Sequence, residues 1–331
     1  MLRSGCMKRC PGITRRACST AHSPTVQAIR SLNASYDSVD IDEFRREAFV
    51  PQTPLLISPG PRDGSANTRN VCPSISAAYK WFNSSTSSSQ AKLSYPYLST
   101  FSDTILPYEL EVDTTTSCIQ NWLKDFGAVQ ENIELATVLT RLLRATEGKS
   151  FHRFNAPLSF FLQASQPAFP GIERLYIAQA QISDLPQRLQ GDLLAPRLVR
   201  EAGRGDIYDS NIWVGLPPTY TPLHKDPNPN LFVQLASSKK IRLFEPSVGI
   251  AVFHEVQRRI GHQSSPSFRG YEMMEGIEKE VLDIHTWGTS VTDVFETDLS
   301  PGDALFIPKG WWHSIKSVGK DVNASVNWWF R

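Results

Sequence analysis

The chain has 331 residues, 40% of them hydrophobic and 20% charged, with a formal net charge of +1. This is a globular composition, long enough to bury a large core, and no apolar run approaches the roughly 18 residues that a membrane helix needs. The positive charge is uneven: Arg3, Lys8, Arg9, Arg15, Arg16 and Arg30 all precede the first acid, Asp37, so the remainder is mildly acidic. That balance disfavours a dedicated nucleic-acid surface, whose affinity comes mainly from neutralising phosphates. The five cysteines (Cys6, Cys10, Cys18, Cys72, Cys118) form no regular framework, which suggests reduced thiols. Cys6 and Cys10 have no second pair at ligand spacing, so a zinc site is not expected.

Residues 1–36 are rich in Arg and Ser and contain no acid. That is the composition of a mitochondrial transit peptide, drawn to an anionic, inside-negative membrane. Pro11, Gly12 and Pro24 break any long helix there. The expectation is a matrix-targeting or disordered segment outside the fold; the alternative is a cytoplasmic or nuclear protein with a basic tail.

From there the spacing of apolar residues predicts a short helix over Asp40–Glu47, stopped by Pro51 and Pro54, and a strand at Leu55–Ile57. Residues 58–76 read as loop, Ala77–Phe82 as helix, and the Ser-rich run 83–90 as a surface loop. Leu106–Val112 reads as a strand, followed by helices over Ser117–Phe126 and Glu131–Ala145. From Leu158 onward strand-like runs dominate: Leu158–Gln163, Leu175–Gln181, Ile212–Gly215, Leu231–Ala236, Lys240–Glu245, Val294–Asp298, Ala304–Pro308 and Ser325–Phe330. Residues 247–290 interrupt them as a long insert with a helix near Met273–Leu282. The organisation expected is therefore a basic segment over 1–36, a helical and mixed part over 37–157, and a β-rich core over 158–331. The number and spacing of the strands suit an antiparallel sandwich or barrel.

The chemistry concentrates in Thr219–Gln234, which contains His224 and Asp226 one residue apart. On an extended strand, side chains at i and i+2 share a face, so an imidazole and a carboxylate stand side by side. His313, after the turn Pro301–Asp303 and the run Leu305–Pro308, is the best third ligand. Two His and one carboxylate on one face of an octahedron leave three positions open, the facial triad of non-haem Fe(II) oxygenases. A lone HxD is weak, because a His in a strand is more often structural. Lys239 could reach a distal carboxylate as a point charge, and Thr221 could donate to the same group; a solvated hairpin turn is the plainer reading of Lys239 and Lys240. Trp311, Trp312, Trp328 and Trp329 near the third ligand read first as core.

Taken together, TPLHKDPNPNLFVQL, Lys239, LSPGDALFIPKGWWHSI and SVNWWF, with LYIAQAQ upstream, occur in the order and spacing of the JmjC-domain family. The chain resembles the small cupin-like hydroxylase branch of that family over most of residues 40–331. The resemblance implies a mainly β fold with flanking helices, a double-stranded β-helix or jelly roll. It implies Fe(II), 2-oxoglutarate and O2 as cofactor and cosubstrates. It puts His224, Asp226 and His313 at the iron, Lys239 and Thr221 on the far carboxylate of 2-oxoglutarate, and Tyr176 in the pocket lining. Asn230 and Asn327 match polar positions nearby, and Trp213 and Trp329 match aromatic walls. The insert 247–290 and the Ser-rich loop depart from the pattern and leave the substrate open. Hydroxylation of a protein side chain is the favoured outcome. Demethylation of a lysine, a tRNA substrate, and a catalytically silent cupin-like binding module are the alternatives.

Overall fold

A computed structural model describes residues 26–60, 75–84, 91–113, 118–145, 148–166, 174–261, 276–289 and 291–331. The chain begins with strands β1 (Val26–Ala28) and β2 (Ser31–Asn33), then helix α1 (Ile41–Phe44), whose first turn is capped by the Asp40 carboxylate accepting from the Glu43 N–H at 2.7 Å. A π-helical turn continues α1 to Phe49 before β3 (Leu55–Ser58). Helix α2 (Ala77–Lys80), the hairpin β4 (Phe82–Ser84) and β5 (Ala91–Leu93), and α3 (Tyr95–Leu98) lead to β6 (Ile105–Asp113). Helices α4 (Cys118–Phe126) and α5 (Ile133–Arg144) precede β7 (Lys149–Pro157), α6 (Leu158–Ala164) and β8 (Leu175–Gln181). Two short helices, α7 (Gln187–Gly191) and α8 (Arg197–Glu201), lead into β9 (Ile207–Gly215), β10 (Tyr220–Lys225), β11 (Asn230–Ala236) and β12 (Ser238–Phe244). Helices α9 (Pro246–Ile260) and α10 (Gly276–Trp287) occupy the insert, and β13 (Val294–Leu299), β14 (Ala304–Ile307), β15 (Trp312–Val318) and β16 (Asn323–Phe330) close the chain. Among the described residues no helix is long and apolar enough to cross a membrane.

The strands form two facing sheets, one ordered β1-β13-β12-β15-β10 and the other β2-β3-β14-β11-β16-β9-β8-β6-β7. This is the β-rich jelly roll expected from the sequence. Period-two alternation sorts its layers. On β11, Leu231, Val233 and Leu235 point outward, as do Val326, Trp328 and Phe330 on β16 and Ile212 and Val214 on β9; all join one large core beneath the helices α2 to α8. The inward residues Leu56, Phe232, Ile241, Leu243, Leu305, Ile307 and Ile315 fill the space between the sheets. Helices α9 and α10 cover the outer face of the smaller sheet through Leu223, Phe244, Val256, Leu282 and Trp312. The order is helices, sheet, barrel interior, sheet, helices. Inward positions not taken by that apolar plug are polar, and the site lies among them.

Three expectations need correction. Leu158–Gln163 is helix α6, not a strand. Leu158, Phe160, Phe161, Leu162 and Ala164 are all buried, so an apolar run without alternation hides its helical period. Strand β7 pairs with β6 and β6 with β8, which puts residues 105–113 and 149–157 in the large sheet itself rather than in the helical and mixed part beside it. Residues 26–33 belong to the fold: Val26–Ala28 pairs in parallel with Val294–Glu296, and Ser31–Asn33 with Leu56–Ser58. Short exposed strands carry little apolar signal, so composition alone put the boundary too late. The proposed targeting stretch up to residue 25, and most of the 58–76 and 83–90 loops, lie outside the described residues.

Candidate active site

Strand β10 pairs with β15 in antiparallel register, which sets His224 directly opposite His313. A register shift between Thr221 and His224 interrupts the pairing, and bulges of this kind re-aim side chains beside active sites. The two imidazoles stand 4.1 Å apart centre to centre. Asp226, just past the end of β10, reaches both: 3.9 Å from His224 Nε2 and 3.6 Å from His313 Nε2. One ligand atom from each residue lies within 4.8 Å of the others.

The donor set fits a divalent cation. His224 Nδ1 lies 2.8 Å from the Pro222 carbonyl and His313 Nδ1 3.2 Å from the Trp311 carbonyl. A carbonyl only accepts, so each Nδ1 carries a proton and each Nε2 faces Asp226. Burial, with His224 beside it, pushes the His313 ring down to about 4, so it is neutral, the form that ligates. Burial would raise the Asp226 carboxyl, but the two imidazoles, Trp329 and Asn230 outweigh it and hold it below the usual carboxylate range. Asn230 Nδ2 donates to Asp226 Oδ2 at 3.0 Å and fixes its rotamer.

The second half of the site centres on Lys239, which is 1% exposed. Its Nζ donates to Ser325 Oγ at 2.7 Å and to the Tyr176 hydroxyl at 3.2 Å, and lies 5.3 Å from the centre of the Phe232 ring. Among the described residues no carboxylate forms an ion pair with it. Burial alone pushes its ammonium down to about 7. A buried lysine with no anion is costly, and the cost falls when a ligand brings the anion. The solvated-turn reading of Lys239 is thereby excluded, while Lys240, half-exposed and bridged to Glu296 at 2.9 Å, does fit it. Burial pushes the Tyr176 phenol up, so it stays protonated, and Thr221 hydrogen-bonds to it. Gly215 faces Tyr176 across the β8–β9 pair, and a Cβ there would collide with the ring. Trp213 packs 5.7 Å from Tyr176 and donates its Nε1 to Asn327 Oδ1 at 2.8 Å.

The structure thus brings all nine sequence-chosen positions into one neighbourhood. Thr221, Trp213, His224, Asp226 and Trp329 line a single cavity of about 880 Å³. Sequence reasoning missed Ser325, Glu109, Arg153 and Asp209. Ser325 had a signal, since it is a small polar residue in the inward phase of the closing strand. Glu109 and Arg153, joined at 2.8 Å across the pairing of β6 with the unexpected β7, had none.

The insert is wired to this site. Trp287 Nε1 on α10 donates to Ser314 Oγ at 3.0 Å, and Ser314 Oγ donates to the Thr221 carbonyl at 2.8 Å. Ser314 also adjoins His313. Trp287→Phe removes the first donor while keeping an aromatic ring. The half-saturation for 2-oxoglutarate is expected to rise about 2- to 10-fold, the worth of one hydrogen bond. An unchanged value in a steady-state titration would detach α10 from the site.

A model of the cupin-like domain matches residues 112–331, about two thirds of the chain. The chain belongs to the cupin-like domain family. Among curated relatives, lysine-specific demethylase JMJ30 of Arabidopsis thaliana is 27% identical over 161 residues, covering 48% of this chain and 34% of the relative. Lysine-specific demethylase 8 of Danio rerio is 32% identical over 159 residues, covering 47% and 36%. The HSPB1-associated protein 1 homolog of Danio rerio is 30% identical over 125 residues, covering 38% and 26%. The chain spans about a third of the length of the curated relatives it matches first. Such relatives are JmjC-type proteins, a family that uses Fe(II), 2-oxoglutarate and O2.

Proposed function

We propose that this chain is an Fe(II)- and 2-oxoglutarate-dependent dioxygenase that hydroxylates a protein side chain. The observation that carries the reading is a pair of features in one barrel interior: a His-Asp-His set with both Nε2 atoms turned inward, and a buried Lys239 that lacks an anion. His224, Asp226 and His313 hold the metal. Lys239, with Thr221 and Ser325 beside it, takes the far carboxylate of 2-oxoglutarate. Tyr176 and Trp213 form the wall, and Asn327 is kept in place by the Trp213 N–H. When bound, iron and 2-oxoglutarate would activate O2, one oxygen atom going to the C–H bond as C–OH and the other to succinate as 2-oxoglutarate loses CO2. The chain's own share is to position that bond, to meet the far carboxylate with the Lys239 ammonium, and to limit water.

The relatives named lysine-specific demethylases favour a second reading, in which the oxidised carbon is an N-methyl group. The same attack there gives an unstable hemiaminal that releases formaldehyde. One experiment separates the two. Purified protein receives Fe(II), 2-oxoglutarate and a proteome-derived peptide mixture. Peptide-stimulated succinate with a gain of one oxygen is expected; formaldehyde with loss of methyl groups would favour demethylation. Absence of any Fe(II)-dependent 2-oxoglutarate binding would overturn both and leave a silent binding module. The acidic body continues to disfavour a nucleic-acid substrate, and we extend the proposal to a mitochondrial address for the basic first residues, tested by import into isolated mitochondria.

A further inference from the structure

Tyr220 belongs to two places at once. It lines the same cavity as His224 and Asp226, yet its phenol is bound to the insert. The sheet edge makes this possible. Strand β10 is the last strand of the smaller sheet and pairs only with β15 among the described residues. Thr221 stands opposite Ile315, which belongs to the apolar plug between the sheets, so Tyr220, opposite Lys316, takes the outward phase. On an inner strand an outward residue could not reach the barrel interior. At the edge it forms a lip of the cavity.

Helix α10 carries Lys279, Leu282, Asp283, Thr286 and Trp287 along one side, spaced three and four apart. Leu282 anchors that side in the apolar cluster of Leu223 and Phe244, and the Thr286 carbonyl accepts from Arg242 Nη1 at 2.9 Å. Trp287 reaches the Thr221 carbonyl through Ser314. Asp283 serves Tyr220: its Oδ1 accepts from the phenol at 2.6 Å, and its Oδ2 from Lys279 Nζ at 3.0 Å. Burial, with Asp283 beside it, pushes the Tyr220 phenol up, so the proton stays on the donor. The ammonium groups of Lys279 and Lys316 lie 5.0 and 5.3 Å from the centre of the ring. The ring is thus held at its hydroxyl and flanked by two cations, with its orientation set from α10. An acid on the sheet-facing side of a helix is costly unless it is paired. Leucine would dock the helix as well, so what the acid adds is the hold on Tyr220.

We infer that Tyr220 is a specificity-determining residue at the lip of the cavity, that Asp283 positions it, and that the insert thereby sets how tightly the primary substrate is held, separately from 2-oxoglutarate. The inference rests on the oxygenase reading above and deepens it. The test uses the full chain with Fe(II), 2-oxoglutarate and the proteome-derived peptide mixture as probe. Tyr220→Phe keeps the ring and removes its tie to α10. The total peptide concentration that gives half-maximal succinate release is expected to rise about tenfold, the worth of one hydrogen bond to a charged group. Binding of 2-oxoglutarate, measured without O2, is expected to stay within about twofold. Asp283→Leu should reproduce that split. Asp283→Asn, whose amide oxygen still accepts from the phenol, should restore most of the peptide affinity. Trp287→Phe gives the converse pattern, a weaker hold on 2-oxoglutarate. A merely structural role for Asp283 would lower thermal stability and weaken both ligands together. An unchanged peptide half-saturation in Tyr220→Phe and Asp283→Leu, or a parallel loss of 2-oxoglutarate affinity, overturns the proposal. Should Tyr220→Phe fail to fold, the two Asp283 variants still decide it. An unaltered chain that binds no 2-oxoglutarate, or that no peptide stimulates, marks failure of the oxygenase reading instead; stimulation that these variants leave unmoved marks failure of this inference alone.

Discussion

Lys239→Met is expected to abolish 2-oxoglutarate binding and, in the same protein, to make the ligand-free fold more stable. The two effects have one cause. Lys239 is fully enclosed, its partners Ser325 and Tyr176 are neutral, and burial lowers its ammonium from an ordinary 10.5 to about 7. A folded value below the unfolded one means that the unfolded chain binds more protons between pH 7 and pH 10.5, so this group makes stability rise with pH across that window. At pH 8 the penalty is on the order of 3 kcal/mol, part of it offset by the two hydrogen bonds that Met would lose. Met fills similar space without a charge, and a net gain of about 1–2 kcal/mol is expected near neutral pH. Urea unfolding should show a pH-dependent difference between the two proteins that closes toward pH 10.5. Binding moves the opposite way. The far carboxylate needs the charged ammonium, so affinity is greatest below pH 7 and weakens as pH rises through 7 in the unaltered protein. Removing the cation should cost about 100-fold or more, since it leaves a desolvated carboxylate unpaired. A Met variant that binds 2-oxoglutarate normally, or that is less stable with an unchanged pH slope, would remove Lys239 from the proposed role.

The alternation of the strands that surround Lys239 was readable in the sequence, though its own burial was not, and the rest of the site shows where such reading stops. In NASVNWWF the outward residues Val326, Trp328 and Phe330 and the inward Ser325, Asn327 and Trp329 follow period two without a break. The same holds for NLFVQLA, so the inward placement of Asn230, Phe232 and Gln234 follows once Leu231, Val233 and Leu235 are assigned to the core. The metal triad was legible for a related reason, because i and i+2 on a strand share a face. Pairing partners were not. Nothing local says that Thr221 stands opposite Ile315 or that β10 shifts register before His224, since register depends on strands 90 residues apart. Short buried helices such as α6 look like strands, because burial on every side erases the period. Strand β7 escaped for a different reason: KSFHRFNAP mixes charge and aromatics without clean alternation. It carries Arg153 and pairs with β6, so that part of the cavity wall stayed invisible.

Asp226→Ala is expected to leave the fold intact and reduce turnover below detection. Asp226 is the one negatively charged member of the triad, and it bridges the two imidazoles across the mouth of β10 and β15. Two neutral nitrogens alone make a poor site for a hard, divalent cation, whose preference for a carboxylate oxygen completes the facial set. The apolar packing does not run through the residue: it lies past the end of β10, and its partners are the two imidazoles, Trp329 and Asn230. Metal affinity should therefore fall steeply while thermal stability without metal stays within a few degrees, a combination that a structural role would not give. Mn(II) binding followed by electron paramagnetic resonance reads the first quantity, and calorimetry reads the second. His224→Ala and His313→Ala should give the same loss of turnover, because a cation held by two ligands has neither the fixed orientation nor the affinity of one held by three. Full turnover in any of the three variants would dismantle the triad. Tight Mn(II) binding in Asp226→Ala would move the carboxylate's role elsewhere, even with turnover lost.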